Sequence, residues 1–416
     1  MKWFCPLPFY HVYSNSNGKW AACCLSKTPG QRHTTENMSL MEWFNSEHMN
    51  NLRDEMIGLS NSSETINSFC TKCVNQEMNE GFSTRLKWIS KLKLDRKKGV
   101  DKVVQEYVNT NKITFKDNNH RFLELKLRIF GNLCNLSCFM CWPQNSSSRT
   151  ADVNKMKNPI WKKMLIDPKT SNFFRKGKSL MKEQPADKFQ TTIDEIRLFS
   201  KNIESVKITG GEPLMLDSHY ELLDMLIETG DAKDIRLKYQ TNLTKFNRGK
   251  NNFINYLHQF RSTHISSSID SYGIYDEYIR KGTDSKLVAN NLKLVENLDN
   301  VNVHIAATVT NLSVLRLKEF YKRYKNYRIE SFVLTDPDFL NIKHLPDEIK
   351  EFLIEDLKDT PHLHEYNNIK NMLSKPRDED KFQLSLRYLL DTDILYNRKK
   401  GVFHLWPELK QYWRPT

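Results

Sequence analysis

The chain has 416 residues, with 63 Lys and Arg against 50 Asp and Glu, and therefore a formal charge of +13 at pH 7. Its 39% apolar and 27% charged residues are typical of a globular protein with a sizeable core. No run of about 18 apolar residues predicts a membrane span, and the first residues lack the apolar core of a secretory signal. We therefore expect a cytoplasmic protein whose thiols stay reduced. Charge alone does not favour a nucleic-acid partner, because the sequence lacks the motifs of such proteins.

Residues 1–85 carry five of the eight cysteines and are predicted to form a small module. A hairpin is predicted in FCPLPFYHVYSNSNGKWAACC, and it would bring Cys5 near Cys23 and Cys24. One helix is predicted in SLMEWFNSEHMNNLRDEM, and FCTKCVNQE then supplies Cys70 and Cys73. A closed site of four ligands would then consist of Cys5, one cysteine from the hairpin end and this pair. Such a site suits zinc as well as an iron-sulfur cluster.

Residues 86–120 are basic, have helical spacing and are predicted to form a connector. Beyond them, strand periodicity alternates with helical spacing. The six predicted strands lie in FLELKLRI, IESVKIT, IRLKYQT, HISSSID, VNVHIAATVT and RIESFVLT. This alternation predicts an α/β fold with a parallel sheet and helical crossovers. Six units are fewer than the eight of a closed barrel, so we predict a partial (β/α)6 TIM-type barrel over residues 121–340.

Two further segments interrupt or follow this pattern. Residues 144–201 form a connection much longer than a βα loop of a few residues, and this insertion is either a surface feature or a lid that contacts substrate. Residues 341–416 are predicted to form a helical C-terminal extension that covers the open edge of the sheet.

Three cysteines follow the first predicted strand of the barrel in the stretch RIFGNLCNLSCFMCWP. They are Cys134, Cys138 and Cys141. A structural zinc site takes four protein ligands, and an iron-sulfur cube normally has one thiolate on each of its four irons. Three thiolates therefore leave one metal position open. GGEP, TNL, SIDS and a second TNL follow the next strands, so we expect them at the same end of the sheet.

The CxxxCxxC loop, followed one βα unit later by KITGGEPLM, resembles the radical S-adenosylmethionine (SAM) superfamily over roughly residues 122–335. The resemblance implies that the three cysteines hold a 4Fe-4S cluster whose open iron chelates the amino and carboxylate groups of SAM. An electron from the cluster would cleave the sulfonium bond and yield a 5'-deoxyadenosyl radical, which abstracts hydrogen from a substrate. It also implies an electron donor such as flavodoxin or ferredoxin.

The same resemblance implies contacts with the cofactor. Gly210 and Gly211 would let the backbone approach the methionine moiety, and Glu212 would accept from its ammonium group. Ser268 would lie near the ribose, and Arg280 would pair with the cofactor carboxylate through its guanidinium group. The alternative for Arg280 is a charge on the surface of a helix.

Thr241, Asn242 and Asn311 follow predicted strands and are candidates either for the wall of the cofactor pocket or for ordinary turn and capping roles. The sequence departs from the superfamily pattern at two positions. Met140 stands where many members have an aromatic residue, and Ser271 stands where a glycine is common.

The order of cysteine, NGxxxxCC, LMEWFNS helix and CxxC is similar to the SPASM and twitch auxiliary-cluster domains. The resemblance implies a second, auxiliary 4Fe-4S cluster within residues 1–85. The spacing from Gly18 favours Cys23 over Cys24 as its ligand, and His11 fits a buried structural role better than a ligand role. In the better-known members this module follows the barrel, whereas here it precedes it.

The sequence as a whole predicts a radical SAM enzyme with two iron-sulfur clusters. We favour a peptide or protein side chain as its substrate. The alternative, from another class, is a zinc-stabilised nucleic-acid-binding protein with a basic surface.

Overall fold

The computed structural model describes residues 3–14, 20–26, 38–80, 83–94, 100–114, 123–128, 131–166 and 186–415. Two compact units divide the chain. The first comprises Met1–Gly131, Met181–Tyr239 and Arg248–Thr263, and the second comprises Asn132–Leu180, Gln240–Asn247 and His264–Thr416. None of the helices within the described ranges has the length and apolar character that a membrane span requires.

The described strands are, in chain order, β1 His11–Ser14, β2 Trp20–Ala21, β3 Leu123–Leu127, β4 Ser137–Cys138, β5 Ile203–Ile208, β6 Arg236–Thr241, β7 Asn247–Arg248, β8 Asn251–Asn252, β9 Ser262–Ser268, β10 Arg280–Lys281, β11 Val301–Val309 and β12 Ile329–Val333. Eight of these strands belong to one mostly parallel sheet, so the predicted α/β class is confirmed. All six strands predicted from alternating hydrophobicity are present, as β3, β5, β6, β9, β11 and β12.

The described α-helices are α1 Leu7–Tyr10, α2 Leu40–Phe44, α3 Glu47–Ile57, α4 Glu64–Phe69, α5 Thr71–Glu80, α6 Thr84–Leu94, α7 Val100–Thr110, α8 Ser147–Lys155, α9 Pro159–Leu165, α10 Ala186–Leu198, α11 Asp217–Glu228, α12 Phe253–Leu257, α13 Gly273–Ile279, α14 Ser285–Glu296, α15 Leu317–Arg323, α16 Asp347–Leu357, α17 Tyr366–Leu373, α18 Glu379–Leu395 and α19 Val402–Leu405. Short 3-10 helices lie at Pro143–Asn145, Ser200–Asn202, Pro213–Met215, Ala232–Asp234, Ser313–Arg316, Asp338–Leu340, Ile342–His344 and Pro407–Tyr412.

The sheet of the first unit runs in the order β6-β5-β3-β1-β2. The predicted N-terminal hairpin exists, since β1 and β2 pair antiparallel, although the turn at residues 15–19 lies outside the described residues. The hairpin is not separate from the predicted barrel, because β1 also pairs in parallel with β3, with His11 opposite Glu124. The units therefore cut across the boundaries predicted at residues 85 and 120.

The predicted single helix after the hairpin is two helices, α2 and α3. Ser39 caps α2 through a capping box with Glu42. A second cap follows at once, because the Ser46 side chain accepts from the Met49 amide and starts α3. Two adjacent serine caps thus divide a segment whose apolar spacing alone predicts one continuous helix.

The second unit contains most of β9 together with β11 and β12, which pair in parallel with Ile305 opposite Ile329. It also contains a small antiparallel pair formed by β4 and β10. The helices of residues 341–416 belong to this unit, and Phe382, Leu386 and Leu389 of α18 are buried in its core.

Candidate functional site

The three-cysteine segment of the second unit, called the cysteine loop, runs from Cys134 to Cys141. Cys138 is buried, and the other two cysteines are half-buried. The Cys141 amide donates to the Cys138 carbonyl oxygen at 3.0 Å. The Leu136 amide points at the Cys134 Sγ at 3.4 Å. Hydrogen bonds of this kind from backbone N–H groups to cysteine sulfur are among the interactions that tune iron-sulfur clusters.

The start of α8 fixes the backbone of the cysteine loop through three consecutive serines. Ser146 Oγ donates to the Leu136 carbonyl oxygen at 2.8 Å and caps α8 at the Arg149 amide. Ser148 Oγ donates to the Cys134 carbonyl oxygen at 2.7 Å, and the Cys134 amide donates to Ser147 Oγ at 3.2 Å. The first residues of the predicted 144–201 insertion, Ser146 to Ser148, therefore support this loop, while residues 167–185 lie outside the described residues.

The opposite side of the cysteine loop is held by the β4–β10 pair, in which Cys138 faces Arg280. The Phe139 amide donates to the Ile279 carbonyl oxygen at 3.1 Å and extends this contact. Gly282 has a φ of +101°, and a Cβ there would lie 3.1 Å from the Asn135 carbonyl oxygen. Its left-handed backbone and this close approach both favour glycine at the position.

Arg280 is not a charge on a helix surface. Its side chain is 11% exposed and lies 2.8 Å from the carboxylate of Asp270, which is 1% exposed. Asp270 also accepts from the Thr308 amide at 2.7 Å. Burial lowers the pKa of Arg280, but the nearby Cys138 and Asp270 outweigh it and hold the pKa above its usual range. The guanidinium group therefore remains charged beside the cysteine loop.

Asp270, Asp276 and Arg149 are residues of this unit that the sequence reasoning missed. Asp276 accepts from the Asp270 and Ser271 amides at 2.9 and 3.0 Å, and burial raises its pKa to about 7 against the opposing effect of Arg280. Arg149 in α8 is fully buried, with its guanidinium carbon 5.2 Å from the centre of the Tyr388 ring. The sequence feature that could have identified Arg149 is its position in the first turn of the helix that follows the third cysteine.

Three strand-end residues of the second unit make hydrogen bonds, either within a turn or to other segments of the unit. Thr241 Oγ1 accepts from the Leu243 amide at 3.1 Å, and Asn242 Nδ2 donates to Asn135 Oδ1 at 3.0 Å, which connects it to the cysteine loop. Asn311 Nδ2 donates to Ser385 Oγ of α18 at 3.1 Å. Ser268 ends β9 and is half-buried.

The glycine-rich motif belongs to the first unit and follows β5 directly. Glu212 is buried at 2% exposure, and its side chain accepts from the Leu214 amide at 3.3 Å as the N-cap of a 3-10 helix. A Cβ at Gly210 would meet only the Gly131 carbonyl oxygen, at 3.4 Å, which is an ordinary contact. Space alone therefore does not require glycine at residue 210. Gly211, like Gly210, is half-buried.

A second group of thiols lies in the first unit, where Cys5, Cys23, Cys70 and Cys73 line one pocket, called the four-cysteine pocket. It is also lined by Leu7, Leu25, Ser26, Phe69, Thr84 and Arg85. Cys24 is exposed and does not line it. The structure thus brings together four of the five cysteines predicted for this module, and they come from three separate stretches of chain.

Burial raises the pKa of two thiols in the four-cysteine pocket, to about 11 for Cys23 and about 12 for Cys70. It also raises the pKa of Cys5, and repulsion from Cys23, Cys70 and Cys73 adds to this. Cys23, Cys70 and Cys73 are therefore close enough to Cys5 to interact with it electrostatically. Arg85 lines the pocket and donates to the Phe4 carbonyl oxygen at 2.9 Å and to Glu77 at 2.8 Å.

His11 lies nearby in β1 as a buried histidine, outside the lining of the four-cysteine pocket. Its Nδ1 is 3.0 Å from the Ala22 carbonyl oxygen, and burial lowers its pKa to about 4. This is the structural role that the sequence favoured for His11.

All eight cysteines fall within the described residues, and each is a free thiol. Within the same ranges, no group of three or more His, Cys, Asp or Glu side chains is placed so that it could hold a metal ion. The donor set nevertheless fits iron-sulfur ligation in its chemistry, because it consists of grouped thiols with an amide directed at one sulfur and an arginine next to each group.

Part of the sequence matches the model of a known protein family. Residues 129–315, a little under half of the chain, match the family model of the Radical SAM superfamily. None of the curated proteins matches the sequence significantly. The region that matches begins just before the cysteine loop and includes the GGEP motif and Arg280.

Several solved structures are similar over part of the chain. Native anSMEcpe with bound AdoMet has 16% identity and a TM-score of 0.39 over 59% of this chain and 62% of that chain. Streptococcus suis SuiB bound to S-adenosylmethionine has 17% identity and a TM-score of 0.36 over 71% of this chain and 59% of that chain. TYW1 with a lysine-pyruvate adduct bound has 14% identity and a TM-score of 0.32 over 61% of this chain and 80% of that chain. The chain thus spans less than two thirds of anSMEcpe and SuiB. From the match to the family model, residues 129–315 form a radical SAM superfamily domain.

Proposed function

We propose that the chain is a radical SAM enzyme that uses the cysteine loop to cleave SAM reductively. The observation that carries this proposal is the set of three grouped cysteines inside the region that matches the superfamily. When bound, a 4Fe-4S cluster with one open iron would supply the electron that splits the SAM sulfonium bond and yields the 5'-deoxyadenosyl radical, which abstracts hydrogen from the substrate.

In this proposal the candidate residues have separate tasks. Cys134, Cys138 and Cys141 ligate three irons and leave the fourth open. Arg280 faces Cys138 and remains charged, so it offsets the negative charge of the thiolates. Glu212, whose carboxylate is buried, binds the ammonium group of the cofactor.

We also propose that the four-cysteine pocket holds an auxiliary 4Fe-4S cluster. Its lining supports this, because four thiols match the four irons of a cube and leave none open. Burial raises the pKa of Cys23 and Cys70, so iron would replace protons on these sulfurs when it binds. Zinc is the alternative occupant and is distinguished by colour and metal content.

The substrate in this proposal is a peptide or protein side chain, and the electron donor is a flavodoxin or ferredoxin. The likeness of the N-terminal cysteine pattern to auxiliary-cluster domains is the reason for favouring a peptide. Incubation of the reduced enzyme with SAM and candidate peptides, followed by mass spectrometry, tests this part separately from SAM cleavage.

The decisive experiment removes the cysteine loop thiols by changing Cys134, Cys138 and Cys141 together to alanine. The parent, purified without oxygen, should be brown and hold about eight irons, as expected for two cubes. The triple variant should lose about half of the iron and all reductive cleavage of SAM to 5'-deoxyadenosine. Comparable 5'-deoxyadenosine production by the variant and the parent would refute the assignment of this loop.

The reciprocal variant changes Cys70 and Cys73 to alanine. It should lose the other half of the iron and keep some cleavage of SAM that is uncoupled from substrate turnover. The matched control is Cys24→Ala, which removes an exposed thiol outside the pocket and should change neither iron content nor cleavage. A colourless parent that contains only zinc would refute both cluster proposals and favour the zinc-stabilised alternative.

A further inference from the structure

One face of the sheet in the first unit carries a row of lysines. Lys126 of β3 stands opposite Lys207 of β5, and Lys207 stands opposite Lys238 of β6. These three residues, called the lysine row, are all half-buried. Adjacent strands place directly opposite side chains about 5 Å apart, so three ammonium groups share a small area.

The alternation of side chains separates this face from the apolar core. The neighbours of the lysine row in the three strands point to the other face and are fully buried, and they are Leu125, Leu127, Val206, Ile208, Leu237 and Tyr239. The lysines therefore form a polar surface on the face opposite these buried apolar side chains.

The carboxylate on this polar face is already engaged. Glu124 lies 2.5 Å from the Lys238 Nζ and accepts from Ser205 Oγ at 3.0 Å. His11 approaches it to 3.9 Å, but its lowered pKa of about 4 keeps it neutral near pH 7. Glu124 therefore balances Lys238, and the charges of Lys126 and Lys207 remain.

Lys126 and Lys207 have no carboxylate partner in the described part of the chain. Lys126 Nζ lies 5.5 Å from the centre of the Tyr13 ring, a favourable contact that does not neutralise its charge. Burial, and then repulsion from Lys126, lowers the pKa of Lys207. Two neighbouring ammonium groups on a half-buried surface repel one another, and an anion placed between them would remove this cost.

We propose that the lysine row binds an anionic group of the substrate, a carboxylate or a phosphate. This inference rests on the proposed function and adds a chemical class to its substrate. The position of Lys207 agrees with that role. Lys207 lies near the end of β5, and the GGEP motif with Glu212 follows this strand in the same unit. A peptide substrate would then present an acidic or phosphorylated side chain to this face.

The test is calorimetric titration of the full chain with two probes, inorganic phosphate and N-acetylglutamate. At least one should bind to the parent, and the probe that binds identifies the anionic group. Lys126→Met and Lys207→Met should each weaken that binding about tenfold, since a charge-assisted hydrogen bond is lost. Higher salt should weaken it as well, because screening shortens the reach of the lysine charges.

Lys233→Met is the matched control, since Lys233 is an exposed lysine of the same unit and its loss should leave binding within twofold of the parent. Lys207→Gln, a milder change, serves if a methionine variant does not fold. The proposal is overturned if the parent binds neither probe, or if the lysine-row variants bind as the parent does. Binding is measured without SAM, so this failure is separate from a failure of SAM cleavage.

Discussion

Replacing Arg280 with methionine is expected to destabilise the second unit by about 3 kcal/mol, even before any cluster is bound. The guanidinium group lies 2.8 Å from the Asp270 carboxylate, and both side chains are largely buried, with 11% and 1% of their surface exposed. The substitution would leave the Asp270 charge in the interior without its partner.

The size of this destabilisation depends on which hydrogen bonds the Asp270 carboxylate keeps when Arg280 is lost. Removing one partner of a buried ion pair costs about 3–5 kcal/mol. Asp270 keeps the Thr308 amide, which donates to its other oxygen at 2.7 Å, so we expect the lower end of this range.

The assay is hydrogen exchange of the iron-free full chain, followed by mass spectrometry of peptides from β9 and β11. The double variant Arg280→Met with Asp270→Asn should recover at least half of the loss, since residue 270 then carries no charge that needs the arginine. The control is Arg328→Met, which removes an ion pair with Glu330 whose arginine is 73% exposed. That change should cost less than about 1 kcal/mol. The reasoning fails if Arg280→Met costs no more than the control, or if the double variant is no more stable than the single one.

Two further predictions concern the first unit. Cys23→Ser should remove about half of the iron while Cys24→Ser leaves it unchanged, because Cys23 lines the four-cysteine pocket and Cys24 is exposed; equal losses in an iron assay would contradict this distinction. His219 is fully buried beside the Tyr239 hydroxyl, and burial lowers its pKa to about 3. The unfolded chain takes up a proton at this residue below about pH 6.5, so stability should fall as the pH drops from there towards 3, by about 2 to 3 kcal/mol at pH 4.5. His219→Gln should reduce this pH dependence in urea unfolding at pH 7 and 4.5, and an unchanged dependence would count against the burial argument.

The strands could be predicted from the sequence because their signal is local. In β3 the residues Leu123, Leu125 and Leu127 alternate with polar ones, and the structure buries all three completely. Pairing between distant strands has no such signal. His11 of β1 pairs with Glu124 of β3, more than a hundred residues away, and neither strand has a sequence pattern that identifies its pairing partner.

The candidate site likewise has features that the sequence predicts and features that it does not. The spacing of the cysteine loop suffices to predict grouped thiols, because three cysteines so close along the chain stay close in any fold. The environment of Arg280 could not be predicted, since β10 is only two residues long and has no periodicity. Its ion pair with Asp270 depends on where that short strand places the side chain. The lysine row was likewise hidden, because it appears only when three strands are aligned in register.

The hairpin of β1 and β2 links the thiols of the first unit to the integrity of its sheet. Cys5 and Cys23 flank this hairpin, and β1 covers the backbone edge of β3. Without β1, the N–H and C=O groups along that side of β3 would be open to pairing with other chains. Oxidation of the thiols in the four-cysteine pocket would therefore loosen both ends of the hairpin and expose the unpaired backbone groups of β3. Damage by oxygen to these thiols would then favour aggregation of the whole protein.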